Sequence, residues 1–176
     1  MEAYAKIGED VRIHSTAIIK RPGLVSLGSH IAIDQGAYIS VSAYIGDYVH
    51  IAPYVCIIGG ECADLLMGDF TNIAAGCKIV CAGEDFTAGM LNPIVPPQYR
   101  NIINKPVIMK RFSAMGVNSV VLQGVIMAEG SVLGANSLLT KSTEPWTIYV
   151  GSPARPVKIR DKKLILTAYK ELGYEL

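Results

Sequence analysis

The sequence is short of charge, of the largest aromatics and of any long apolar run. Asp, Glu, Lys and Arg together make up 18% of its 176 residues, Phe occurs three times and Trp once. With a net charge of +1 there is no electrostatic footprint for nucleic acid or an anionic membrane, and neither is expected as a partner. Apolar residues nonetheless reach 51%, too many for a disordered chain, and the 17 Gly and 9 Pro lack the period of collagen. No stretch approaches the roughly 18 apolar residues a membrane-spanning helix needs. The best run, Val117 to Ala128, is broken by Asn118, Ser119, Gln123 and Gly124 and closed by Glu129. The first ten residues lack the basic start and apolar stretch of a signal peptide, so a cytoplasmic location is expected. The cysteines Cys56, Cys62, Cys77 and Cys81 lack the paired two-residue spacing of a zinc site. No metal is expected, and the four read as small apolar fillers.

What is present is a repeat of six. Ile7-Gly-Glu-Asp-Val-Arg, Ile13-His-Ser-Thr-Ala-Ile, Ile33-Asp-Gln-Gly-Ala-Tyr, Ile39-Ser-Val-Ser-Ala-Tyr, Ile45-Gly-Asp-Tyr-Val-His and Ile51-Ala-Pro-Tyr-Val-Cys share one pattern. The same pattern resumes at Met67 and Ile73, and again at Met109, Met115, Val121, Met127 and Leu133. A period of six is neither that of a helix nor that of an amphipathic strand. It suits a short strand and a tight corner, with the aliphatic residue inward, a small residue beside it, and Gly, Asn or Asp at the corner. Three sides close one coil of about 18 residues, and coils stack at the strand spacing of roughly 4.8 Å. The prediction is an all-β solenoid whose coils bury one another's faces.

The register slips over residues 19–26, 57–66 and about 82–106. The last excursion carries Glu84, Asp85, Tyr99 and Arg100 and is too long to be an ordinary connection, so it is a candidate functional loop. After Leu139 the coils are expected to stop. Residues 161–174 read as a terminal helix with Ile165, Ala168, Tyr169 and Leu172 on one stripe and Gly173 as its stop. The expected organisation is one domain over 1–160 followed by a helical segment over 161–176.

These hexads, with Gly151-Ser-Pro-Ala-Arg-Pro-Val-Lys after them, resemble the hexapeptide-repeat acyltransferases over roughly residues 5 to 160. The run from Met109 to Lys141, and then Gly151 to Lys158, is similar to the coenzyme-A half of galactoside O-acetyltransferase and related sugar acetyltransferases. The resemblance implies a left-handed parallel β-helix, a homotrimer with sites between adjacent solenoids, and transfer of acetyl from acetyl-CoA to a sugar hydroxyl or amine by direct attack in a ternary complex. It places that reaction in surface polysaccharide, including lipopolysaccharide, biosynthesis. It maps Gly116, Ala135, Thr140, Lys141, Arg155 and Lys158 onto positions that touch pantetheine or phosphates.

The proton acceptor is less direct. Galactoside-type enzymes carry a His where this chain has Glu84, in Cys81-Ala-Gly-Glu-Asp-Phe, so Glu84 and its neighbour Asp85 are candidates. His50 is another, since Ile45-Gly-Asp-Tyr-Val-His resembles a segment of nucleotide-sugar amine N-acetyltransferases. It lies a coil further from the coenzyme-A half, and Asn72 occupies the nearer corner. Asn72, Tyr99 and Arg100 are the candidate acceptor contacts. Two other classes compete: a catalytically silent scaffold, and a γ-type carbonic anhydrase. The latter needs three converging His, whereas His14, His30 and His50 fall at different hexad positions, 16 and 20 residues apart.

Overall fold

The computed structural model describes residues 3–175, so Met1 and Glu2 of the expected domain, and Leu176 of the expected helical segment, lie outside it. Two-to-four-residue strands build three parallel sheets, the faces of a triangular prism. The first face stacks strands from Lys6–Ile7 to Ile126–Met127, the second from Val11–Ile13 to Val132–Leu133, and the third from Ile18–Ile19 to Leu138–Leu139. Neighbouring strands on a face are one coil apart, as Ile33, Ile51, Ile73 and Met115 show by lying in direct register. From Ile33 to Leu133 every residue that opens a predicted hexad is at most 1% exposed. The core is therefore three inward ladders of Ile, Leu, Val and Met, too narrow for rings.

The fourth hexad position makes the corners. Gly36, Gly76, Gly124, Asn118 and Asn136 all take positive φ there, as expected of residues tolerant of the left-handed region. Tyr48, Phe70 and Phe112 do so as well, at 55°, 57° and 61°. That region is unfavourable for a bulky side chain by roughly 1–2 kcal/mol, and stacking offsets it. Between the first and second faces, His30 stacks on Tyr48 at 4.5 Å, Tyr48 on Phe70 at 4.8 Å, and Phe112 follows at 5.7 Å.

Three further features depart from the sequence reading. The coils do not end at Leu139: Thr147–Gly151 adds another rung to the second face, and Ala154–Ile159 folds back antiparallel on it. The helix is shorter than predicted, Lys163–Glu171, and Gly173 ends it at a φ of 86°. It places Tyr169 edge-on to Phe70 and Phe112 at 5.3 and 5.0 Å. Cys77 and Cys81 are buried fillers, and burial pushes the Cys81 thiol up to about 12. Cys62 is exposed and Cys56 half-buried, so these two are not.

Candidate active site

The excursion over 82–106 is an antiparallel hairpin, Ala82–Glu84 against Ile102–Asn104. It leaves the corner between the third and first faces. Its neck is closed by an ion pair: Glu84 Oε1 accepts from Arg100 Nε at 2.9 Å and also from Nη2. The two side chains are only 13% and 15% exposed. Arg100 Nη1 also donates to the Pro93 carbonyl at 3.2 Å, tying the far side of the loop to the neck. This corrects two expectations. The guanidinium of Arg100 is occupied within the hairpin, not presented to an acceptor, and Glu84 is engaged by it through Oε1, while its buried Oε2 has no hydrogen-bond partner. A buried carboxylate without such a partner would be costly.

Asp85, next along, faces outward. Its Oδ1 accepts from the Thr87 amide and hydroxyl at 2.9 and 2.7 Å, and Oδ2 from Asn101 Nδ2 at 2.9 Å. The Thr87 hydroxyl and amide hold its carboxyl below the usual carboxylate range. An ionised carboxylate has about four acceptor positions, so one remains for a ligand. The Asp-x-Thr spacing that makes this turn is readable in sequence. Tyr99 ends a short 3-10 turn at Pro97–Tyr99 and is 57% exposed.

His50 lies elsewhere. It sits in the strand His50–Ile51 on the second face, not at a corner, directly beside Asn72. Its Nε2 pairs with Asp34 Oδ2 at 2.8 Å and its Nδ1 with Asn72 Oδ1 at 3.1 Å. Both ring nitrogens are thus engaged in a brace across coils, and within one chain it does not meet Glu84 or Asp85. Asp34 was missed because it lies a coil away in sequence. The other histidines are separate: His14 bonds Thr16 and His30 bonds Asp10. Among the described residues no three His, Cys, Asp or Glu side chains converge as metal ligands.

The coenzyme-A candidates gather at the C-terminal end. Gly116 packs under the corner of the next coil, where a Cβ would come within 2.6 Å of the Ala135 nitrogen. Ala135 is exposed on that corner, and Thr140 and Lys141 are exposed just beyond the third-face strand Leu138–Leu139. Arg155 and Lys158 stand on the back-folded strand opposite Val150 and Ile148. Small residues line the corner, and cations lie beyond it on the last rungs.

Comparison with known proteins fits this geometry. No family profile matches the chain. A dTDP-4-amino-4,6-dideoxy-D-glucose acyltransferase from Escherichia coli is 34% identical over 166 residues, covering 92% of this chain and 85% of that protein. The chain belongs to the hexapeptide-repeat sugar acyltransferases. The lipopolysaccharide biosynthesis O-acetyl transferase WbbJ of E. coli K12, itself described as putative, is 30% identical over 121 residues, 69% of this chain and 59% of that one. The crystal structure of AntD, an N-acyltransferase from Bacillus cereus, in complex with dTDP and 3-hydroxybutyryl-CoA, superposes with a TM-score of 0.93 at 34% identity. It covers 97% of this chain and 91% of that chain. The solenoid is thus a left-handed β-helix, and the protein is an acyltransferase that uses an acyl-CoA co-substrate. The scaffold and carbonic anhydrase readings fall away. Among the described residues no helix is long and apolar enough to cross a membrane.

Proposed function

We propose that the protein transfers an acetyl or other short acyl group from coenzyme A to the amine of a dTDP-linked amino-dideoxyhexose. The observation that carries this reading is the likeness to AntD over 97% of the chain, in a complex holding both a dTDP nucleotide and an acyl-CoA. The amine nitrogen attacks the thioester carbonyl, the new N–C bond forms as the C–S bond breaks, coenzyme A leaves as the thiol, and the amine gives up one proton. Asp85, ionised and with an open acceptor position, orients the amine and draws off that proton. Its lowered pKa favours a role in orientation over strong basicity. Glu84 and Arg100 hold Asp85 in place. Gly116 and Ala135 let pantetheine lie against the corner, and Thr140, Lys141, Arg155 and Lys158 meet the phosphates. Asn72 and Tyr99 remain the acceptor-side candidates.

The assembly in this reading is a homotrimer. In it the exposed hairpin, with Phe86 at 87% and Ile94 at 88% exposure, covers a neighbour's site. The location is the cytoplasm, where nucleotide sugars and acyl-CoA are available, and the product feeds surface polysaccharide assembly. The likeness to WbbJ supports a second acceptor class, glycan hydroxyls. Free thiol is followed with acetyl-CoA and either dTDP-4-amino-4,6-dideoxyglucose or a glycan acceptor. Saturable release with the amino sugar is expected. Release with the glycan alone selects the second reading, and no coenzyme A binding at millimolar concentration overturns both.

A further inference from the structure

The corner between the second and third faces carries Gly36, Tyr54, Gly76, Asn118 and Asn136 at its left-handed positions, with no helix over them. The corner between the first and second faces is covered by the helix Lys163–Glu171, and the cover leaves a space, a cavity of about 190 Å³. The Phe70, Phe112 and Tyr169 rings wall it, and Ala168 and Leu172 line it from the helix side. An apolar cavity of roughly 150 Å³ takes up benzene, so this one has room for a single ring. Arg160 supplies the only charge in its lining. Both hydrogen bonds of that guanidinium leave from Nη1, to the Phe112 and Gly130 carbonyls. Its Nε–Nη2 edge, spaced to meet both oxygens of a carboxylate, has no partner among the described residues. Nor does any described acidic side chain pair with it. Glu129 is taken by Arg111 at 3.1 Å, Asp47 accepts from Tyr174, and Asp161 accepts from the Lys163 amide. Lys162 adds a second cation, its Nζ and the Arg160 Cζ each standing 5.9 Å from the Trp146 ring. Burial lowers the Arg160 pKa, and no counter-charge offsets it. A partly buried cation without an anion is costly, and this one stands at the wall of an otherwise apolar cavity.

We propose that this cavity is a second ligand site, for a small aromatic carboxylate. The ring packs on the aromatic walls and on Ala168 and Leu172, and the carboxylate accepts from Nε and Nη2 of Arg160 in a two-point contact. The bound molecule ties the terminal helix to the solenoid. The site belongs to neither the hairpin corner, where Asp85 stands, nor the corner of Gly116 and Ala135, so its occupant takes no part in acyl transfer.

Calorimetric titration of benzoate, benzamide and hexanoate into the wild type, Arg160→Met and Ala168→Leu tests this, with coenzyme A titrated as a control. The wild type is expected to bind one benzoate per chain in the millimolar range or tighter. Benzamide, the same ring without the charge, is expected to bind at least about tenfold more weakly, and hexanoate more weakly than benzoate. Arg160→Met is expected to erase the preference for benzoate over benzamide. Because Arg160 also holds two carbonyls, that variant can fail to fold. Ala168→Leu leaves the arginine in place, puts a branched side chain into the cavity, and is expected to weaken benzoate at least about tenfold with coenzyme A affinity unchanged. Absence of benzoate binding at millimolar concentration, equal affinity for benzamide or for hexanoate, or unchanged affinity in Ala168→Leu each overturns the site. Displacement of benzoate by coenzyme A puts the anion in the transfer site and overturns it as well.

Discussion

Two corners of one solenoid solve the same backbone problem in opposite ways. At the first, His30, Tyr48, Phe70 and Phe112 fill successive left-handed positions, and Trp146 closes the stack by lying over Gly130. The terminal helix seals it with Tyr169, and Arg160 Nη1 clips the Phe112 and Gly130 carbonyls at 2.7 and 3.0 Å. At the second, glycine and asparagine occupy all these positions but one, and the single ring, Tyr54, is left open. Repetition fixes where side chains emerge, and what emerges decides whether an edge is closed by a stack or left open. Stacked pairs are worth about 0.5–1.5 kcal/mol beyond their burial, so the closed corner is an energetic asset, whereas the open one holds no such stack.

The sharpest effects fall where each edge is most committed. Asp85→Asn, in the hairpin at the corner between the third and first faces, is expected to lower kcat by about 100-fold or more with no shift in unfolding midpoint. Steady-state kinetics and denaturant melts on the same sample check both halves. Phe112→Ala removes a ring that is 4% exposed from the middle of the closed corner. It is expected to cost about 3 kcal/mol in urea unfolding, with coenzyme A affinity of the folded fraction unchanged. Gly76→Tyr copies the closed corner onto the open one. Tyr48 already tolerates this φ, and the Asn118 carboxamide lying on Gly76 must swing aside; the expected loss of stability is about 2 kcal/mol, while transfer falls at least tenfold.

Much of this was legible. The hexads placed the inward ladder correctly from Ile33 to Leu133, because a narrow lumen tolerates only aliphatic residues at that position and so imprints its period. The aromatic corner was not foreseen, although its residues recur in the fourth position of Leu27-Gly-Ser-His, Ile45-Gly-Asp-Tyr, Met67-Gly-Asp-Phe and Met109-Lys-Arg-Phe. Gly and Asn had been expected there, and stacking overrode local preference. The last rung at Thr147–Gly151 escaped because Pro145 and Trp146 interrupt the pattern before it. The partners of Glu84 and His50 were hidden for a different reason. Arg100 and Asp34 lie 16 residues away from them in sequence, and no periodicity reports which polar groups a hairpin or a stack of coils will join.

Smaller effects refine the contrast. His50→Ala is expected to change kcat/KM less than about threefold, since a base with both nitrogens bonded has no free site; a loss of 100-fold would restore it as the proton acceptor. Tyr174 gives a pH signature of the closed corner. Its hydroxyl donates to Asp47 Oδ2 at 3.2 Å, and burial with Asp47 alongside pushes its pKa up from 10.0 to about 12. The unfolded chain loses this proton first, so the contribution is intact below pH 10 and disappears as pH rises toward 12. Tyr174→Phe should flatten that fall in alkaline melts.

The most direct test of the contrast between edges is a crystal structure with coenzyme A and dTDP bound together. Coenzyme A is expected along the corner between the second and third faces, with pantetheine against Gly116 and Ala135. Coenzyme A seated on the aromatic corner, with this corner empty, would contradict the account.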